Sequence, residues 1–385
     1  MSERIEAEWL EAAPARAVTG MLEAAGHQAW FVGGCVRNAL LGQPVSDLDL
    51  TTDARPERVV DLARAAGLKP VPTGIDHGTI TVVAQGTPIE VTTFRRDVET
   101  DGRRATVAYS EDIAEDAARR DFTMNALYAD ARGTVADPLG SGLADLAARR
   151  LRFIGDAHDR IREDYLRILR FFRFHAWYGD THGGIDADGL AACAELAEGI
   201  GGLSRERVGA EMLKLMAAPD PAPAVASMAI SGVLMRVLPG GASDPLAVLV
   251  HVEEEARLAP DPIRRLALVG GEEVAERLRL SRAQAGALQR LREAQEAGWG
   301  PGELGYRLGA RAALDVLALN AALSGREIEA VSRETAEAGA RAALPVKAAD
   351  LMPDFDGPAL GEKLREIEAR WIASGFALGR NELLP

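Results

Sequence analysis

Cysteine is almost absent. Cys35 and Cys193 are the only two in 385 residues, and they form no Cys-x-x-Cys spacing. That excludes a disulfide framework and a cysteine-built zinc site, and it suits a reducing compartment. No apolar run approaches the roughly 20 residues that cross a bilayer. The stretch from Met1 to Ala25 is acidic and amphipathic, without the character of a signal peptide, so a cytoplasmic location is expected. Internal repeats and a low-complexity tail are also missing. Positive charge is in deficit: 44 Lys and Arg face 58 Asp and Glu, a formal net charge of −14. This weighs against general attraction to nucleic acid. It does not exclude a local arginine stripe, and the arginines here are clustered.

Length suits two to four domains, and 47% hydrophobic residues support a sizeable core. The first 150 residues mix two periodicities. Ala29–Gly33, Leu48–Thr52, Thr79–Ala84 and Pro88–Phe94 predict strands. Arg37–Leu41, Pro56–Ala66 and Ser110–Arg119 predict helices, with Pro56 in a first turn and Gly67 beyond a C-terminus. Met124–Ala129 and Thr134–Ala136 predict a hairpin around Arg132-Gly133. Beyond Leu151 the strand signal fades, and Asp159–Trp177, Ala187–Glu198, Ser204–Ala217 and Ala222–Ser231 show helical spacing. The expectation is an α+β chain: a mixed-sheet head over 1–150, a helical neck over 151–235, and a helical body and tail over 236–385.

Two devices lie close together near the start. Gly33-Gly34-Cys35-Val36-Arg37 places a glycine turn between a strand and a helix, where backbone N–H groups can approach a phosphate and Arg37 adds charge. Asp47-Leu48-Asp49 follows on an apolar run. Alternation along a strand would put both carboxylates on one face. Paired carboxylates repel unless a cation lies between them, and Mg²⁺, which takes oxygen ligands alongside substrate phosphates, is the expected one. Either motif alone is also a common turn or solvated loop. Together they resemble the signature of the nucleotidyltransferase superfamily that includes DNA polymerase β.

Further along, Glu90 interrupts the apolar Pro88–Phe94 run. It is either an exposed alternate position or a third carboxylate that orients the Asp pair and helps activate an acceptor hydroxyl. His77-Gly78 reads as a turn shaping the same site. Arg119-Arg120-Asp121 with Asn125 is either a helix end complementing its dipole or a triphosphate and ribose site, since arginine matches phosphate bidentately. Glu163-Asp164-Tyr165-Leu166-Arg167, continued by Arg170 and Arg173, carries more information. On one helix Asp164 and Arg167 are neighbours, worth about 0.2–0.5 kcal/mol as a plain ion pair. A carboxylate beside a guanidinium also complements the amino donor and ring-nitrogen acceptor shared by cytosine and adenine. It mismatches uracil and guanine.

The order of these motifs, with Asp137-Pro138-Leu139-Gly140 and Leu203-Ser204-x-Glu206-Arg207 after them, resembles the bacterial class II CCA-adding enzymes, a family shared with bacterial poly(A) polymerase. The resemblance covers about residues 28–217. It implies a polymerase-β-like head, Mg²⁺ on Asp47 and Asp49, and nucleotide contacts at Gly34, Arg37, Arg120, Asp164, Arg167, Arg170 and Arg173. It also implies CTP and ATP as substrates and tRNA held by the helical regions. Asn38 departs from the family, which usually has Asp there. Gly102, within 95–109, is expected to lie in a flexible lever. A poly(A) polymerase would be expected to carry a long basic C-terminal extension, and none is seen. His158-Asp159 invites a phosphohydrolase reading, but only His175, His182 and His251 follow it, with no second matching pair.

Overall fold

The computed structural model describes residues 3–101, 104–180, 183–352 and 354–384. Gly102 and His182 lie outside them. The chain divides into two compact units, residues 1–203 with 230–236, and residues 204–229 with 237–385. The fold class read from the sequence is borne out: a mixed sheet with helices, followed by an all-helical region.

The first unit is built on seven strands in the order β3-β4-β5-β2-β1-β8-β9. They are β1 (Trp30–Val32), β2 (Asp49–Thr52), β3 (Lys69–Gly74), β4 (Thr79–Ala84), β5 (Thr87–Thr93), β8 (Tyr128–Ala129) and β9 (Val135–Ala136); β6 (Arg95–Asp101) and β7 (Arg104–Tyr109) form a separate hairpin. All pairings in the main sheet are antiparallel except β2 with β5. Alternation makes these strands. Along β4, Ile80, Val82 and Ala84 are buried while the intervening residues are less so, and β5 buries Ile89, Val91 and Thr93. The helix Pro56–Ala65 starts on Pro56, buries Val59 and Ala63, and ends before Gly67, whose φ of 71° suits only glycine without strain.

Two local differences from the sequence expectation have clear causes. The expected hairpin starts later, because Thr123–Asn125 closes a 3₁₀ turn. Its bend needs Gly133, where a Cβ would stand 2.2 Å from the Ile5 carbonyl oxygen. The expected helix over 159–177 is two helices, Ala157–Glu163 and Leu166–Tyr178. Asp164 is extended at the break (φ −155°, ψ 105°), and its Oδ1 accepts the Leu166 N–H at 3.1 Å. A short acidic side chain thereby replaces a helical partner. The Tyr165 ring leaves only 2.0 Å for a Cβ at Gly199, so glycine there is what lets the broken segment seat.

The second unit is helical and is organised around charge and close approach. Arg264 and Arg265 are fully buried and share Glu253, at 2.8 Å from Arg264 Nε and 2.9 Å from Arg265 Nε. Arg265 also donates to the carbonyl oxygen of Met216, at 2.7 Å, which satisfies the end of helix Arg205–Met216. Helices Pro301–Leu308 and Ala330–Arg341 cross on glycine: a Cβ on Gly305 would lie 1.9 Å from the Ala336 carbonyl oxygen. No helix among the described residues is long and apolar enough to cross a membrane.

Candidate active site

The glycine turn sits between β1 and helix Gly34–Leu40, as its sequence predicts. Gly33 has φ 72°, a conformation that L side chains rarely adopt, and a Cβ there would stand 3.7 Å from Arg120 Nη1. A Cβ on Gly34 would meet Arg37 Nη2 at 3.9 Å. Two guanidinium groups therefore flank the turn.

Across β1 lies β2, and parallel pairing sets Asp49 opposite Glu90 of β5. Burial and the Glu90 charge push the Asp49 carboxyl above its ordinary range, and Asp47 adds to the effect against the opposing pull of Arg120. Asp47 is not on the strand. β2 begins at Asp49, and Asp47 is exposed, accepting from Ser46 Oγ at 3.0 Å. The strict alternation expected of the Asp pair gives way to one strand residue and one loop residue. Among the described residues no three His, Cys, Asp or Glu gather closely enough to hold a metal ion alone. The donors still fit a hard cation. All are carboxylate oxygens, their crowding raises the Asp49 pKa, and their small number leaves positions for phosphate oxygens.

The Arg119-Arg120-Asp121 cluster divides in two. Arg119 Nε donates to Asp116 Oδ1 at 3.0 Å, and Arg120 Nη2 donates to Asp116 Oδ2 at 2.9 Å. Tyr128 OH also donates to Asp116 Oδ2, at 2.9 Å. Burial alone would raise the Asp116 carboxyl, but Arg120 and Arg119 outweigh it and hold it low. Asp121 faces the other way. It accepts from its neighbour's backbone at Phe122 (2.8 Å), from Asn125 Nδ2 (3.0 Å) and from Arg170 Nε (2.8 Å). It too is held low: burial opposes ionisation, and Arg170 with Asn125 overcomes it.

The helix Leu166–Tyr178 brings Arg167, Arg170 and Arg173 to the same unit. Asp164 precedes it, so the pair expected on one continuous helix is an extended residue followed by a first-turn residue. They remain linked, as the Arg167 N–H donates to the Asp164 carbonyl at 2.9 Å. The Arg167 guanidinium is bound to Glu163 and to the carbonyl oxygens of Arg160 (2.8 Å) and Arg119 (3.3 Å). Arg170 and Arg173 lie over the Phe174 ring at 5.2 and 4.2 Å from its centroid, and Arg37 approaches the same ring at 5.1 Å.

Sequence reasoning did not single out Asp116, Tyr128, Phe174 or Tyr178 and gave Glu163 no role of its own; Tyr178 takes its partner, Arg37, from 141 positions away. Asp116 and Glu163 had a visible signal, acids spaced three or four residues before arginines. His158, by contrast, is occupied structurally: its Nε2 lies 2.9 Å from Glu195, and Asp159 pairs with Arg162 at 3.0 Å.

Fold and site together resemble a nucleotidyltransferase head of the poly(A) polymerase type over part of the chain. The sequence profile of the "Poly A polymerase head domain" matches residues 29–152, and that of the "Probable RNA and SrmB- binding site of polymerase A" matches residues 184–244. The likeness to CCA-adding enzymes is borne out as well. The chain is 41% identical over 217 residues to the CCA-adding enzyme of Geobacillus thermodenitrificans, covering 56% of this chain and 52% of that protein. It is 40% identical over 202 residues to the mitochondrial CCA tRNA nucleotidyltransferase 1 of Mus musculus, covering 52% of this chain and 46% of that protein. The chain thus matches about half the length of these relatives. The crystal structure of the Bacillus stearothermophilus CCA-adding enzyme in complex with CTP superposes with a TM-score of 0.73 at 28% identity, covering 94% of this chain and 92% of that one.

Proposed function

We propose that this chain adds C, C and A to the 3′ end of tRNA from CTP and ATP, releasing pyrophosphate, without a nucleic-acid template. The observation that carries this reading is the juxtaposition of the Gly33-Gly34 turn, flanked by Arg37 and Arg120, with Asp49 set against Glu90 on the neighbouring strands. The relatives named above supply the substrate class by analogy: one is solved with CTP. In this reading residues 1–150 are the catalytic head, 151–235 the nucleotide-reading neck, and 236–385 the tRNA-holding body and tail. A cytoplasmic location accompanies it.

Asp47 and Asp49 would hold Mg²⁺, which supplies Lewis-acid stabilisation of the attacking and leaving oxygens when bound. Glu90 orients Asp49 across the sheet and keeps the acceptor hydroxyl in an acidic environment. Gly33 shapes the turn, its own N–H donating to the Leu127 carbonyl at 3.3 Å, and the backbone N–H of Gly34, with Arg37, Arg119 and Arg120, binds the triphosphate. Asp121 and Asn125 fix the sugar end while holding Arg170. Asp164 and Arg167 read the base, and Arg173 completes the cationic face over Phe174.

For Arg167 to read a base it must share its guanidinium with Glu163, which ties selection to the segment Ala157–Glu163 as well as to the helix that follows. A lever within 95–109 would accompany the change from C to A.

The test is incubation with tRNA ending before CCA, offering CTP alone, ATP alone, and both. CTP alone should give tRNA ending in CC, and the two together should give CCA and stop. Addition of A to a tRNA already ending in CC, with none of C, would mark an A-only enzyme. An unlimited A tail would mark a poly(A) polymerase, and no incorporation with bound nucleotide would mark a binding protein.

A further inference from the structure

Arg37 is held in a way that its position in the glycine motif does not explain. Its side chain is buried, and its guanidinium lies over the Tyr178 ring at 3.8 Å from the centroid. Nη2 donates to Tyr178 OH at 2.8 Å and to Asn38 Oδ1 at 2.9 Å; Nε donates to Asn38 Oδ1 at 3.2 Å, and Nη1 donates to Asn125 Oδ1 at 2.5 Å. The three side chains that accept these bonds are neutral, so none of them cancels the Arg37 charge. Burial lowers the Arg37 pKa and Arg173 adds to the effect, against the opposing pull of Tyr178 and Asp121. A buried cation whose hydrogen bonds go to neutral acceptors, fixed beside a glycine turn, is set up to receive an anion.

Tyr178 is the last residue of helix Leu166–Tyr178, whose first turn carries Arg167. Its ring and hydroxyl both reach Arg37, and the Phe174 ring one turn earlier lies 5.1 Å from the same guanidinium. A second route joins the same elements: Arg37 to Asn125, Asn125 to Asp121, and Asp121 to Arg170. The glycine turn and the arginine helix are thereby clamped at two points.

We propose that Tyr178 is a positioning residue for nucleotide binding, holding the Arg37 guanidinium against the Gly33-Gly34 turn and coupling that turn to the arginine helix. The proposal rests on the nucleotide-binding reading above. Tyr178 touches no substrate in this account. It acts through Arg37, with its ring fixing the plane of the guanidinium and its hydroxyl fixing the rotation.

The test is CTP and ATP binding to the full chain by calorimetry, with KM and kcat measured alongside. Tyr178→Phe keeps the ring and removes the hydroxyl, while Tyr178→Leu removes both. Tyr178→Phe should weaken binding and raise KM about tenfold, the size expected for one hydrogen bond to a charged group, with kcat falling far less. Tyr178→Leu should weaken binding further. In an Arg37→Lys background, which lacks the Nη2 donor, Tyr178→Phe should weaken binding no more.

Circular dichroism separates these effects from folding. A purely structural Tyr178 would lower Tm and the active fraction with KM unmoved, and that result overturns the proposal. Equal losses in both backgrounds overturn it too, because Tyr178 would then act without Arg37. Unchanged binding in Tyr178→Phe and Tyr178→Leu, with a wild type that binds CTP, overturns this proposal alone. A wild type that binds neither nucleotide overturns it together with the functional reading.

Discussion

At the residue scale, carboxylates that look alike in the sequence have opposite energetics. Asp49 is raised by burial and by Glu90, so its ionised form is disfavoured in the fold. A raised carboxyl contributes stability below its unfolded pKa and loses it as pH climbs through the folded value. At neutral pH the charge is therefore a net cost retained for function. Asp49→Asn should abolish nucleotide addition and raise Tm near pH 7, with the gain shrinking as pH falls through the carboxylate range. Melting curves across pH check this, and an Asn variant with lower Tm at pH 7 would refute it. Asp164 tests base choice. Asp164→Ala should reduce the CTP over UTP preference by about 1–3 kcal/mol, the worth of a good bidentate pair. Kinetics on tRNA lacking CCA measure it. An unchanged ratio in an active variant places selection elsewhere.

At the element scale, glycine does unlike things in similar helices. Gly305, in helix Pro301–Leu308, sits where a Cβ would meet the Ala336 backbone oxygen at 1.9 Å, so Gly305→Ala must push two helices apart. It should destabilise by about 1–3 kcal/mol, the range for overpacking. Gly286, in helix Arg282–Ala297, has only the tip of Arg290 near its Cβ position, at 3.4 Å. Gly286→Ala should stabilise by about 0.5–1 kcal/mol through helix propensity. Urea unfolding of the two variants compares them, and equal shifts would refute the crossing argument. Element positions themselves were largely legible: β4 is found where its alternation predicts, and helix Pro56–Ala65 starts on its proline. The break at Asp164 was not, because apolar spacing runs through it unperturbed. A single side-chain bond to Leu166 and the room given by Gly199 decide it.

At the scale of the whole molecule, the charge of −14 and the arginine clusters make a joint prediction. If tRNA is gripped by local arginines, each neutralised phosphate releases counterions, and affinity should fall steeply between roughly 50 and 200 mM salt. Filter binding over that range measures the slope. A flat response would point away from phosphate contacts. The buried Arg264–Glu253–Arg265 group is a different use of arginine, invisible in composition: there the charges satisfy one another and the end of a helix.

The sequence by itself determined most of the main sheet, though not β3 or the β6–β7 hairpin, and with it the glycine turn, the motif order and the types of side chain that could meet a triphosphate, because periodicity and local spacing are properties of neighbouring residues. It did not determine which partner each charge would take. Tertiary structure alone set Asp49 against Glu90, gave Arg170 to Asp121, and laid Arg37 on Tyr178. Those pairings join residues up to 141 positions apart. A buried charge takes whichever partner the packed elements bring within reach, and spacing along the chain does not record that.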